Sequence, residues 1–161
     1  MKVGLVHGRF QPFHNGHKFL IGEMLKECDI GVVLIGSAYN TDERNPYTLA
    51  LRRSMIEPLA SKRLVVGANL DLPDPHLPTT PWDVLLASCV VSLTGFLPTT
   101  VYTSDEYSVP WTHVSVEVKK YERYKGITGV EIRRFIRNGL LSKVEELVPP
   151  NVFKIITADI S

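Results

Sequence analysis

Lys2-Val3-Gly4-Leu5-Val6-His7, then Gly8-Arg9-Phe10-Gln11-Pro12-Phe13-His14-Asn15-Gly16-His17, then Lys18-Phe19-Leu20-Ile21-Gly22-Glu23-Met24-Leu25-Lys26 are three consecutive pieces whose reading decides the fold. The first is a short apolar run, of the kind that forms a strand buried on both faces. The third has apolar residues at helical spacing. The middle piece is therefore a strand-to-helix loop, with His14 and His17 three residues apart at the helix start. That spacing projects both imidazoles from one face. A helix N-terminus adds free backbone N–H groups and a positive dipole end, where phosphates settle. Gly16 removes a side chain where an anion would approach the backbone. Two histidines, Arg9 and this glycine-gated helix start read as a polyphosphate cradle.

The chain has 161 residues, a length that suits one domain over 1–161 with a sizeable core. Hydrophobic residues make up 44% and charged residues 22%, the balance of an ordinary globular protein. Lys plus Arg is 18 and Asp plus Glu is 17, so nothing in the charge calls for nucleic acid or an acidic membrane as a partner. Cys28 and Cys89 form no Cys-x-x-Cys and no disulfide framework, which fits a reducing compartment. Both read as small buried hydrophobes. No basic segment followed by an apolar one marks a secretory leader, and no apolar run reaches the length of a membrane span. The expected location is the cytoplasm.

Further along, Ile30–Gly36 is a second continuous apolar run and Arg63–Ala68 a third. Thr100–Thr103 and His113–Val118 supply a fourth and a fifth strand. Between them, Thr48 caps a helix over about 49–59. Thr80 as cap with Pro81 at the first helical position opens another to about Leu93. Thr128-Gly129-Val130-Glu131 and Ser142-Lys143-Val144-Glu145 are capping boxes for two more. Pro149-Pro150 closes the second of these, and the last residues form a final helix. Strands and helices alternate, so the expected fold is a single Rossmann-like α/β domain with a mostly parallel sheet flanked by helices. Ligands in such sheets bind beyond the carboxyl ends of the strands. The assignment sends the loops 8–17, 37–47, 69–81, 103–110 and 119–129 to that one edge.

The stretch G-R-F-Q-P-F-H-x-G-H at Gly8–His17 resembles the H-x-G-H signature of the nucleotidyltransferase superfamily. In its longer form it is similar to the nicotinamide-nucleotide adenylyltransferases of the archaeal and NadM/NadR-like kind. Gly36-Ser37-Ala38 through Asn45-Pro46-Tyr47-Thr48 resembles that family's G-S-A-Q…N-P-F-T stretch, and Arg52 aligns with the arginine of the helix that follows. Arg123-Tyr124 and Thr128-Gly129-Val130-Glu131-Ile132-Arg133 resemble its R-Y-S-G-T-E-I-R-R stretch. The chain departs from the pattern at Tyr39 for Gln, Leu51 for Glu and Val130 for Thr.

The resemblance implies adenylyl transfer from ATP to nicotinamide mononucleotide, giving NAD and pyrophosphate. Mg²⁺ would be carried on the ATP phosphates and no protein metal ligands are expected, while His7, His76 and His113 lack ligand spacing for zinc. The chemistry asks for positioning and for cations and donors around the α-phosphate, with no covalent nucleophile. His14, His17, Arg9, Arg52 and Arg133 are the candidates for that role. Gly8, Arg9, Phe10, Gly16, His17, Ser104, Asp105, Thr128, Gly129 and Arg133 are candidates for holding ATP. Gln11, Phe13, Ser37, Asn45, Trp82 and Asp74 are candidates for the acceptor, with the Trp82 indole suited to a pyridinium ring. Relatives of the archaeal type also assemble, which implies a possible homo-oligomer.

Two other readings stay open. One is transfer to a different phosphorylated acceptor, such as nicotinate mononucleotide, phosphopantetheine or a sugar phosphate. The other is a non-catalytic nucleotide-binding sensor, for which Tyr39, Leu51 and Val130 argue. The basic run Lys119, Lys120, Arg123, Lys125, Arg133, Arg134 and Arg137 lacks the interleaved aromatics of an RNA platform and reads as a phosphate-side rim with a solvated helix face.

Overall fold

The computed structural model describes residues 1–36, 41–69, 81–104 and 109–160. Its strands are β1 (Val3–Gly8), β2 (Ile30–Ile35), β3 (Leu64–Ala68), β4 (Thr100–Thr103) and β5 (Glu117–Lys120). They form one sheet in the order β3-β2-β1-β4-β5, with every pairing parallel. The helices are α1 (Asn15–Glu27), α2 (Leu49–Ile56), α3 (Trp82–Thr94), α4 (Gly129–Arg137), α5 (Leu141–Glu145) and α6 (Pro150–Ile160).

Both faces of the sheet are covered, which is why its strands read as continuous apolar runs. Val6, Val33, Ile35 and Tyr102 point into a core shared with Leu20, Met24, Met55, Ile132, Val144, Val152 and Ile156. Val3, Leu5, Val32, Leu34 and Val101 point the other way, onto Leu86 and Val90 of α3. Helix α1 lies close on β1 and β2 because glycines sit beneath Met24. A Cβ on Gly4 would come within 2.6 Å of the Met24 Cγ, and one on Gly31 within 2.5 Å of its Cε. The carbonyls at the end of α1 are gathered by Arg63, whose guanidinium donates to the oxygens of Leu25 and Cys28.

Four local expectations need correction. The fifth strand begins at Glu117, four residues later than His113. The amides of Thr112, His113 and Val114 all donate to Asp83 Oδ2, at 3.1, 2.6 and 3.1 Å, so they are not available to a ladder. The second helix is α-helical only to Ile56 and tightens into a 3-10 turn over Glu57–Leu59, where Pro58 has no N–H to give. Helix α3 starts at Trp82 with Pro81 in the cap position, and Thr80 lies outside the described residues. Helix α5 begins at Leu141, so Ser142 stands inside its first turn and caps nothing. Thr128, by contrast, does cap α4, its hydroxyl accepting from the Glu131 amide at 3.2 Å. The Glu131 carboxylate lies 3.6 Å from Arg134.

Candidate active site

The loop from Gly8 to His14 crosses the carboxyl end of the central strand, and two arginines from elsewhere and one side chain of its own fix its shape. Arg52, on α2, is completely buried; it donates to the carbonyls of Arg9 at 2.8 Å and Gly36 at 2.6 Å, and its Nε reaches Thr48 O at 3.3 Å. The Gln11 amide pairs with both backbone groups of Tyr47, donating to its carbonyl at 2.9 Å and accepting from its N–H at 2.8 Å. Arg133, on α4, donates to the Gln11 carbonyl at 2.7 Å. Within this frame Phe10 holds a left-handed backbone, φ 54°, a conformation that costs a non-glycine residue about 1–3 kcal/mol and persists only where its surroundings impose it. The Gln11–Pro12 peptide is cis.

His14 and His17 cap α1 for each other. His14 Nδ1 accepts from the amides of Gly16 at 3.1 Å and His17 at 3.4 Å, while His17 Nδ1 accepts from the amide of His14 at 3.1 Å. Each Nδ1 must therefore carry a lone pair, which places the proton of a neutral ring on Nε2. The rings stack with centroids 3.6 Å apart, and His17 is further enclosed by Phe13, stacked at 5.6 Å, and the edge of Phe10 at 4.7 Å. Burial, with the Arg123 charge nearby, pushes the His14 pKa down to about 3. Burial, His14 and Arg123 hold His17 well below its ordinary range too. The pair is thus a fixed set of neutral donors, two Nε2–H groups side by side.

The amide side of this helix start differs from the sequence expectation. The Asn15 N–H donates to Leu147 O at 2.9 Å, Gly16 and His17 are taken by His14, and the Lys18 N–H returns to His14 O at 3.1 Å. Helix α1 has no free amide for a phosphate. At α4, however, the amides of Gly129 and Val130 have no partner among the described residues, and both residues line the cleft. Anion-binding capacity at a helix N-terminus has moved from α1 to α4.

The cleft above these groups is lined by Gly8, Arg9, Phe10, His14, His17, Ser104, Arg123, Thr128 and Arg133, among others, and its described lining contains no carboxylate. Arg9 leans toward Asn45 Oδ1 at 3.4 Å, and Asn45 is itself held by Asp42. Burial and the charges of Arg9, Arg137 and Arg44 act against the Arg133 cation and lower its pKa. Such crowding of like charges in a partly desolvated site favours a polyanion between them.

Several expected site residues are committed to other partners, lie outside the described lining, or fall outside the described residues. Arg52 is absent from the described cleft lining, and its guanidinium donates to carbonyls beneath the loop, whose shape it holds. Gln11 lines the cleft, but its amide is committed to Tyr47. Phe13 is fully buried behind His17 and presents nothing to an acceptor. Asn45 is buried and orients Arg9. Trp82 is half-buried outside the described cleft lining, with its indole N–H enclosed and without a partner among the described residues. Gly16 is buried under the His14 ring. Ser37, Asp74 and Asp105 lie outside the described residues, as does Tyr39.

Sequence reading missed or undervalued three groups. Arg123 was counted with the rim, yet it lines the cleft close enough to depress both histidines; Tyr124 beside it stacks on Phe19 of α1 at 4.9 Å and fixes its position. Arg44 bears on Arg133, and its place directly before Asn45-Pro46 was the available signal. His7 lines the cleft and contacts Asn69, a pairing that no spacing in the sequence betrays.

Residues 5–135 match the cytidylyltransferase-like family. A nicotinamide-nucleotide adenylyltransferase of Methanococcus maripaludis is 34% identical over 92% of this chain and 85% of its own length. One from Methanocorpusculum labreanum is 31% identical over 97% and 90%. Among solved structures, a bifunctional NMN adenylyltransferase/ADP ribose pyrophosphatase of Francisella tularensis, complexed with AMP and a manganese ion, superposes with a TM-score of 0.76 at 24% identity. It is covered to 49% of its length and covers 99% of this chain, and it shares the fold.

Proposed function

The chain belongs to the cytidylyltransferase-like family, and from that premise we propose that it is a nicotinamide-nucleotide adenylyltransferase, one catalytic domain over 1–161 that joins ATP and nicotinamide mononucleotide into NAD and pyrophosphate. The observation that carries the reading is the reciprocal cap of His14 and His17. It leaves two neutral Nε2–H donors, side by side, in a cleft whose described lining carries Arg9, Arg123 and Arg133 and no carboxylate.

An oxygen of the mononucleotide's phosphate attacks the α-phosphorus of ATP. The bond from that phosphorus to the bridging oxygen breaks, and pyrophosphate leaves with the electron pair. The attacking phosphate is already anionic, so no strong base is required, and the work is positioning and charge stabilisation. The histidine Nε2–H groups hold the α-phosphate without adding charge that would change with pH. Arg133, Arg123 and the amides of Gly129 and Val130 hold the leaving phosphates, with Thr128 able to add its hydroxyl hydrogen. Arg9, steadied by Asn45, takes the phosphate on the acceptor side. ATP enters as its Mg²⁺ complex: a lining of donors and cations suits a metal-loaded polyphosphate, whose ion needs few protein oxygens. Trp82 lies outside the described cleft lining and is offered for the pyridinium on the family resemblance alone.

The test is pyrophosphate release from ATP and Mg²⁺, with nicotinamide mononucleotide, nicotinate mononucleotide and phosphopantetheine as parallel acceptors. Turnover with nicotinamide mononucleotide, above the other two, is expected. ATP binding without turnover on any acceptor would refute the enzyme reading in favour of a nucleotide sensor.

A further inference from the structure

His7 ends the central strand, and the transfer chemistry above does not use it. In β1, Val6 belongs to the core on the α1 side and Leu5 to the core on the α3 side. Period-two alternation then sends His7 to the α3 face, as it does its register partner Leu34. Its Nε2 lies 3.1 Å from Oδ1 of Asn69, a buried residue just past β3 whose amide donates to Ile35 O at 3.2 Å. The pair spans the end of β2 over Gly36. A Cβ there would sit 3.0 Å from His7 Nε2, tighter than ordinary contact, and 3.6 Å from Asn69 Oδ1. A half-buried imidazole that lines the cleft is thus held in place by a buried amide at the top of β1, β2 and β3.

The geometry of displacement says what passes over it. Attacking and leaving oxygens lie on opposite sides of phosphorus in an in-line transfer. The leaving phosphates are assigned to α4, whose N-terminus packs against the Gln11 carbonyl and whose Ile132 joins the α1-side core. The attacking nucleotide must then come from the other side of the histidine pair, over the ends of β2 and β3, where His7 and Asn69 stand.

We propose that His7 is a specificity-determining residue of the acceptor subsite, hydrogen-bonding the nucleoside part of the incoming mononucleotide, and that Asn69 is its positioning residue. The inference rests on the adenylyltransferase reading. The shared chemistry is a polar contact from the imidazole, and its source on the acceptor is either the pyridine carboxamide or a ribose hydroxyl.

Steady-state kinetics on purified wild-type, His7→Leu, His7→Gln and Asn69→Leu proteins test it, with NMN, nicotinate mononucleotide and 2′- and 3′-deoxy-NMN as acceptors. His7→Leu should raise the KM for NMN about tenfold, the loss of one useful polar contact. The KM for ATP should stay within twofold, His7→Gln should recover part of the loss, and Asn69→Leu should shift NMN in the same direction. The analogue lacking the contacted group should show wild type and His7→Leu reacting alike, which separates carboxamide from hydroxyl. An unchanged KM for NMN in His7→Leu, or equal losses for ATP and NMN, overturns the inference while wild-type turnover leaves the enzyme reading intact. No turnover and no NMN binding by the wild type overturns both.

Discussion

Replacing Arg52 by methionine separates two roles that sequence resemblance merges. In the structure the guanidinium has no exposure and donates to the carbonyls of Arg9, Gly36 and Thr48. Methionine keeps much of the apolar stem and removes every donor. An orphaned buried acceptor costs about 1–3 kcal/mol, and the carbonyls of Arg9 and Gly36 both lose this donor, while Thr48 O keeps the Arg52 backbone amide. In a domain of this size each kcal/mol lowers the midpoint of thermal unfolding by about 2–4 °C. Arg52→Met should therefore melt roughly 10 °C below the wild type. The assay is calorimetry or circular dichroism with and without saturating ATP and Mg²⁺. The stabilisation that ATP adds should persist in the variant wherever it remains folded, because no ligand contact has been removed. An unchanged melting temperature together with loss of ATP stabilisation would refute this reasoning and return Arg52 to the triphosphate.

Three further outcomes are expected. His17→Ala should lower kcat by two orders of magnitude or more while costing only about 0.5–2 kcal/mol of stability, since it deletes one cap acceptor along with the Nε2–H donor; retained activity with a large stability loss would make His17 a packing residue only. Val130→Thr, at a position 65% exposed in the cleft lining, should lower the KM for ATP by supplying a hydroxyl beside two amides that have no partner among the described residues, with little change in melting temperature. Stability should fall as pH drops below about 6.5, because the unfolded chain binds protons at His14 and His17 that the folded one refuses, down to about 3 for His14. Thermal melts of wild type and His17→Gln between pH 7 and 4 should show a shallower decline in the variant.

Much of the site was legible because its chemistry is local. The strand, loop and helix around His14 and His17 are contiguous, and Thr128 caps α4 as its spacing required. The parallel sheet also followed from apolar runs alternating with helical segments. Where the reading failed, a distant partner had intervened. Asp83 draws off three amides that would have started β5, displacing the strand past His113. The amides of α1 looked free for phosphate, but Leu147, 132 residues on, and the His14 ring take them. Among the described residues no helix is long and apolar enough to cross a membrane.

Local sequence sets the class of protein: the periodicities that make an α/β sheet, and a strand-to-helix loop that brings two histidines to a helix start. Those properties depend on neighbours within one or two turns of chain. Which groups face the cleft is set by packing between distant parts of the chain. Arg52 and Arg133 are both arginines on helices, both suggested by motif, and both buried; one ends on carbonyls beneath the loop, the other keeps a place in the cleft. Gln11 and Phe13 stand in the signature, yet a backbone 36 residues away claims the first and the ring of His17 covers the second. A buried polar group must bond to whatever the fold brings to it, and that partner is set by packing across the sheet rather than by spacing along the chain.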